Sequence, residues 1–223
     1  MSERLIEILT DSFMKILIPG LTMTIPLTVI SFALSMVIAM IVAMIQVAEI
    51  KGLKQLCRFY VWVVRGTPLL VQLYVIFYGL PKLGILLDPF PAAVLVFALN
   101  TGAYDSETMR AAILSVSKGQ MEAGYCVGMN YWQIMRRIVL PQAFRTAFPP
   151  LSNSLISLLK DTSLAANITV LEMLMATQRI VARTYEPLAL YLEVGVIYLL
   201  FTTVITKLQH MGEKKLAKYG PVS

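Results

Sequence analysis

Charge is what this sequence has least of. Asp, Glu, Lys and Arg make up 14% of its 223 residues, about half the quarter found in ordinary globular chains. A water-soluble domain of this length needs more charge to cover its surface, so the deficit argues against a soluble enzyme. Histidine is scarcer still. His210, near the C-terminus, stands alone, which leaves His-based catalysis and His-ligated metals almost nothing to work with. Cysteine stops at Cys57 and Cys126, too far apart for a ligand pair and too few for a disulfide framework. No G-x-x-x-x-G-K-[ST] loop occurs, so the chain does not cradle nucleotide phosphates in that way. What is present in excess is apolar: 57% of residues, against roughly 45–50% in soluble proteins.

The apolar residues gather in long runs. Ile16 to Ala48 is 33 residues without a charge, where about 20 suffice to cross a bilayer core. It is also too long for the apolar region of a cleaved signal peptide. Gly66–Pro81 and Pro89–Tyr104 are uncharged runs of 16 residues each. Thr146–Leu159 is weaker, and Pro187–Lys207 is interrupted only by Glu193. The expectation is an all-α integral membrane protein, one domain over 1–223, with five transmembrane helices at roughly 16–48, 59–81, 89–114, 145–165 and 187–207. Pro19, Gly20 and Pro26 in the first span, and Pro149 and Pro150 in the fourth, predict kinks whose freed backbone groups are satisfied by neighbouring helices or a wet cavity.

Lys and Arg placement predicts orientation. Thirteen of the 19 basic residues, among them Lys51, Lys54, Arg58, Arg65, Arg110, Lys118 and Lys218, fall in the segments on one side of a five-span chain, and six in those on the other. That puts the N-terminus outside and the C-terminus in the cytoplasm. The net charge of +6 is then a topology signal and not a sign of nucleic acid.

Between the third and fourth spans lies the most informative stretch, the cytoplasmic segment 118–141. Met121, Tyr125, Trp132, Met135 and Val139 recur at helical spacing with Gly128 in the gap, which predicts one apolar stripe. A glycine mid-pattern costs about 1 kcal/mol in a helix, so it marks a turn between two short helices, with Pro141 starting the next element. A helix pair on the membrane face, rich in aromatic and Met side chains, either fills a partner's groove or packs on its own bundle.

Glu122-Ala123-Gly124, three residues, Gly128, nine residues, then Ile138-Val139-Leu140-Pro141 resembles the EAA motif of ABC-type importer permeases, with Gly124 where alanine is usual. Arg65-Gly66-Thr67-Pro68-Leu69, Tyr78-Gly79-Leu80-Pro81, Asn100-Thr101-Gly102-Ala103-Tyr104 and Leu159-Lys160-Asp161-Thr162-Ser163 resemble the polar amino-acid branch of that family, over roughly residues 15–210. The resemblance implies a type I importer permease in a bacterial inner or plasma membrane. It implies as partners two ATPase subunits, an identical or similar permease, and an extracytoplasmic substrate-binding protein. ATP and Mg would sit on the ATPase, with no cofactor on this chain, which is not an enzyme. Glu122, Ala123, Gly124, Tyr125, Gly128, Met129 and Trp132 would couple to the ATPase. Asn100, Tyr104, Glu107, Lys160, Thr162 and Ser163 would bind the substrate, since polar groups at membrane depth read as functional. Lys160 with the two hydroxyls suits a carboxylate; Asn100 and Glu107 suit an ammonium. The cargo expected is a polar amino acid, L-cystine first. The rival is an ion-driven secondary transporter, but such folds often carry an internal repeat, and none is seen.

Overall fold

The structure is a computed structural model that describes residues 3–217; Lys218, counted above among the cytoplasmic cations, lies outside the described residues. It is built of helices. The first, α1 (Glu3–Pro19), runs through a wide π-turn over Gly20–Thr24 into α2 (Ile25–Val47), a continuous helix of 45 residues. The helix therefore begins well before the expected boundary at residue 16. Its charged first turns are not loop because they pack on later helices: Ile16 is buried with Met173, Val194 and Ile197, and Ser12 donates to Glu193. That bond supplies the partner Glu193 needs inside an apolar helix. The π-turn lies between Pro19 and Pro26, where it takes up the irregularity two prolines impose.

The expected second span is not one helix. α3 (Leu53–Gly66) ends at Thr67 and Pro68, and α4 (Leu69–Tyr74) continues through turns to Leu83, bent by 107° from α3. Pro68 has no N–H, and the residue before a proline is driven to extended backbone; Thr67 has φ −123° and ψ 146°. Gln72 repairs the break. Its amide donates to the carbonyls of Val64 at 2.8 Å and Thr67 at 3.1 Å.

α5 (Pro89–Leu114) forms the centre of the bundle. Small side chains let α2 approach it along its length. Ser31, Ser35, Ala39 and Ala43 on α2 are all buried, and a Cβ on Gly102 of α5 would meet Ile38 at 2.9 Å and the Ser35 carbonyl at 3.3 Å. Such small-on-small packing holds helices together where apolar surface has no preference for protein over lipid. α3 adds Cys57 and Val61 to this core.

α6 (Lys118–Cys126) is followed by α7 (Tyr131–Ile134), which passes through a π-turn at Met135–Val139 into α8 (Leu140–Asp161) and a 3₁₀ stretch at Thr162–Ile168. The fourth span, expected at 145–165, is thus the far part of a helix running from Tyr131 to Ile168. Pro141 lies in the first turn of α8, as expected, although α7, the π-turn and α8 run on as one helix. The π-turn before it takes up the missing N–H and the ring. α9 (Met173–Thr184) and α10 (Pro187–Ala217) close the chain, the last ten residues or so beyond the boundary expected at 207.

By length and apolarity, two helices can cross a membrane, Glu3–Val47 and Pro187–Leu216. Two bent pairs raise the number to four: Leu53–Gly66 with Leu69–Leu83, and Tyr131–Ile168 with Met173–Thr184 at 52°. α5 is outside that set. It carries Asn100, Thr101, Asp105 and Glu107, and it is wrapped by α2, α3 and α8.

Candidate functional site

Two places collect the residues singled out from sequence: the tip formed by α6 and α7, and a polar cleft at the α3–α4 break.

At the tip, the Gly128 N–H donates to the Tyr125 carbonyl at 2.9 Å, and the Met129 N–H to the Gly124 carbonyl at 3.0 Å. This crossed pair is a Schellman closure, which needs a left-handed residue at its end; Gly128 has φ +80°. α7 is restarted by a capping box. Gln133 N–H donates to Asn130 Oδ1 at 3.0 Å, and Asn130 N–H to Gln133 Oε1 at 2.9 Å.

The turn shifts the helical phase, so the stripe expected across both helices splits. Met135 and Val139 are buried and Met121 packs on them. Tyr125 and Trp132 point outward, 51% and 71% exposed. Glu122, Ala123 and Gly128 are exposed beside them. Two residues expected to couple face inward instead. Met129 packs on the core cluster of Ile134 and Met135. Gly124 is buried against Ile134, whose Cγ1 would lie 2.7 Å from a Cβ there. Glycine at that position is therefore a packing requirement of α6 on α7.

The cleft, about 460 Å³, lies between the α3–α4 break, α5 and α8. Thr67, Asn100, Thr101, Tyr104, Ser157 and Asp161 supply its polar wall, and Leu69, Leu158 and Leu164 its apolar one. Asn100 donates to Gln72 Oε1 at 3.0 Å, so the amide that mends the break also fixes the cleft wall. The Arg65 guanidinium stacks over the Tyr104 ring, 5.1 Å from its centroid, at the last turn of α3. Ser154 belongs to the same wall and faces the buried Asp105 carboxyl.

Of the six residues expected to bind substrate, the structure brings Asn100 and Tyr104 to this wall and places four elsewhere. Glu107 is two turns further along α5 from Asn100, paired with Arg110 at 2.7 Å and held by Gln46 at 3.1 Å. Lys160 is exposed and off the cleft, because one step along a helix turns a side chain by about 100°; its neighbour Asp161, also exposed, lines the cleft instead. Thr162 is fully buried and donates to the Leu159 carbonyl at 2.6 Å, and Ser163 donates to the Lys160 carbonyl at 2.7 Å. Both hydroxyls serve carbonyls at the end of α8, where intrahelical donors run out. Ser154 and Ser157 gave no signal of their own in sequence. Their spacing from Asp161, i, i+3 and i+7, would have marked a polar face on α8.

Residues 35–218 match the family described as the binding-protein-dependent transport system inner membrane component. The chain belongs to this family. The permease is 47% identical to the L-cystine transport system permease protein TcyB of Bacillus subtilis over 96% of this chain and 92% of that one. It is 37% identical to the nopaline transport system permease protein NocM of Agrobacterium fabrum, covering 93% and 90%. A crystal structure of an amino acid ABC transporter with histidines matches at TM-score 0.85 and 32% identity, over 92% of this permease and 96% of that chain. An inward-facing structure of the MetNI methionine ABC transporter matches at TM-score 0.78 and 18% identity, over 97% and 99%, a likeness of fold. A permease of this family is a transport subunit and not an enzyme; ATP hydrolysis is the work of a separate chain. These relatives favour ATP-driven transport over the ion-driven rival.

Proposed function

We propose that this permease carries L-cystine, or a polar amino acid of similar size, inward across a bacterial plasma membrane as half of a type I importer. The 47% identity to an L-cystine permease, over nearly the full length of both chains, carries the choice of substrate. Five spans then cross the bilayer: the two long helices, the two bent pairs, and α5. Because α5 is enclosed by α2, α3 and α8, it need not be apolar on all sides. Orientation follows the basic residues, with the N-terminus outside and the α6–α7 tip in the cytoplasm.

On this reading the cleft is the transport site. A zwitterion needs a cation and an anion. Asp161 supplies the charge for an ammonium; Arg65, stacked on Tyr104, supplies the charge for a carboxylate. Asn100, Thr101 and Ser157 add neutral hydrogen-bonding groups. A volume near 460 Å³ is within the range of small-molecule sites, roughly 300–1,000 Å³. Glu107, Thr162 and Ser163 brace the surrounding helices and Lys160 lies off the cleft, so none of the four touches cargo.

The tip docks into a cleft on the ATPase. Glu122 offers a carboxylate to a basic residue there, and Tyr125 and Trp132 offer exposed aromatic area of the kind enriched at interface centres. Two ATPases bind two permeases, identical or similar, and nucleotide-driven closure is passed through the tips to open the cleft outward. ATP and Mg²⁺ act on the ATPase, and an extracytoplasmic binding protein delivers the amino acid.

The test is co-purification from native membranes in mild detergent. The wild-type chain should bring an ATPase with it. Glu122→Lys should lose the ATPase and uptake while the chain stays in the membrane. Retention of both by the variant would remove Glu122 from the interface.

A further inference from the structure

A second cavity, about 380 Å³, opens at the corner where α2 hands over to α3, nearer the C-terminal end of α5 than the cleft. Its wall carries Lys54, Arg58 and Arg110 against Glu49 and Glu107, with Trp62 beside them. Both acids are already engaged. Lys54 pairs with Glu49, and this contact holds the Glu49 carboxyl below its ordinary pKa. Arg110 pairs with Glu107 at 2.7 Å. Arg58 feels the charge of Glu49 but makes no hydrogen bond among the described residues. The corner therefore holds one positive charge more than it neutralises.

The helix that carries Arg58 has two unlike faces. Cys57 and Val61 are buried against the bundle, while Leu56, Phe59 and Trp62 are 63%, 60% and 71% exposed. A lone guanidinium thus stands within an exposed apolar and aromatic strip, between Leu56 and Phe59. A phosphodiester carries one negative charge, which is the surplus found here. Acyl chains would continue along the strip, and a tryptophan at headgroup level is the usual anchor at a membrane interface.

We infer that this corner binds the headgroup of an anionic phospholipid of the cytoplasmic leaflet, with the phosphodiester on Arg58 and the acyl chains along Phe59 and Trp62. The assignment rests on the orientation proposed above. Basic pockets between membrane helices on the cytoplasmic side are suited to such headgroups. A soluble anion would use the charge but leave the strip uncovered.

The test is native mass spectrometry of the full chain purified in mild detergent, titrated with phosphatidylglycerol, with phosphatidylcholine of the same chains, and with deacylated glycerophosphoglycerol. Phosphatidylglycerol should bind in preference to the other two. Arg58→Gln should weaken it about five-fold, the factor that roughly 1 kcal/mol per basic residue near an anionic surface corresponds to. Arg58→Lys should restore most of the loss, which separates charge from folding. Equal binding of the two lipids, or an unchanged Arg58→Gln, would overturn the site. Glycerophosphoglycerol binding as tightly as the lipid would overturn the lipid as its source. Orientation is read separately. Cys126, exposed at the tip while Cys57 is buried, should react with an impermeant maleimide in inverted vesicles and not in intact cells. Labelling from outside would sink the orientation and leave the purified-chain result standing.

Discussion

Gly124→Ala should pry α6 away from α7, and the size of the effect follows from one contact. The added methyl would stand 2.7 Å from Ile134 Cγ1 and 3.1 Å from its Cδ1. Ile134 is fully buried in the cluster of Met135, Val139 and Ala143, so it has little room to retreat. Overpacking of this kind costs about 1–3 kcal/mol. Ile134→Ala, made alone, opens a cavity and costs about 2–5 kcal/mol. Made together, the two changes partly cancel, because the new methyl enters the space the isoleucine leaves. The double variant should be less destabilised than the sum of the singles by about 0.5–3 kcal/mol, the range for residues in direct contact. Thermal unfolding of the four purified proteins in one detergent reads this out. At about 2–4 °C per kcal/mol for a chain of this size, Gly124→Ala alone should lower Tm by several degrees, and the double variant should recover part of the combined loss. ATP-driven uptake should follow the same order, since the tip that docks is the junction being pried open. Strict additivity of the Tm shifts would refute the packing argument for glycine at this position.

Two further outcomes are expected. Gly128 sits at φ +80° with open space around its Cα, so its substitution acts through backbone alone: Gly128→Ala should cost about 1–2 kcal/mol, Gly128→Asn less, and the β-branched Gly128→Val most, with amide exchange at Gly128 and Met129 accelerating in that order. Asp161→Asn should raise KM for uptake about ten- to hundred-fold, as loss of a charged hydrogen bond of about 1.5–3 kcal/mol would, whereas Lys160→Ala, off the cleft, should leave KM unchanged; the reverse pattern would mean α8 is rotated by about a residue.

Much of this was legible in the residues, and the failures have physical causes. The uncharged runs of α2 and α10 announce helices because lipid demands apolar length. The spacing Glu122 to Gly128 to Pro141 announces the tip because a Schellman closure needs a left-handed residue, which glycine supplies most readily. Phase was harder to read. The left-handed step at Gly128 and the π-turn at Met135–Val139 each change the rotation between flanking helices, so a stripe counted through them sends Tyr125 and Trp132 to the wrong face. Polar composition was a poor guide to the cleft. Thr162 and Ser163 look like ligands, yet hydroxyls next to a helix end have carbonyls to satisfy first. Lys160 and Asp161 are adjacent in sequence and about 100° apart on α8, so only one of them lines the cleft. The Pro68 break has a local signature, but its 107° bend depends on Gln72 and Asn100, 28 residues apart. The pairing of Ser12 with Glu193 spans 181 residues, beyond any local pattern.

As proposed, this permease moves L-cystine only when an ATPase drives it. The most direct measurement is uptake of labelled L-cystine into proteoliposomes holding the permease, its co-purified ATPase and binding protein. Uptake should require ATP on the ATPase face, stop with a non-hydrolysable analogue, and persist when ion gradients are collapsed. Uptake by the permease alone, without ATP and following a proton or sodium gradient, would contradict the account.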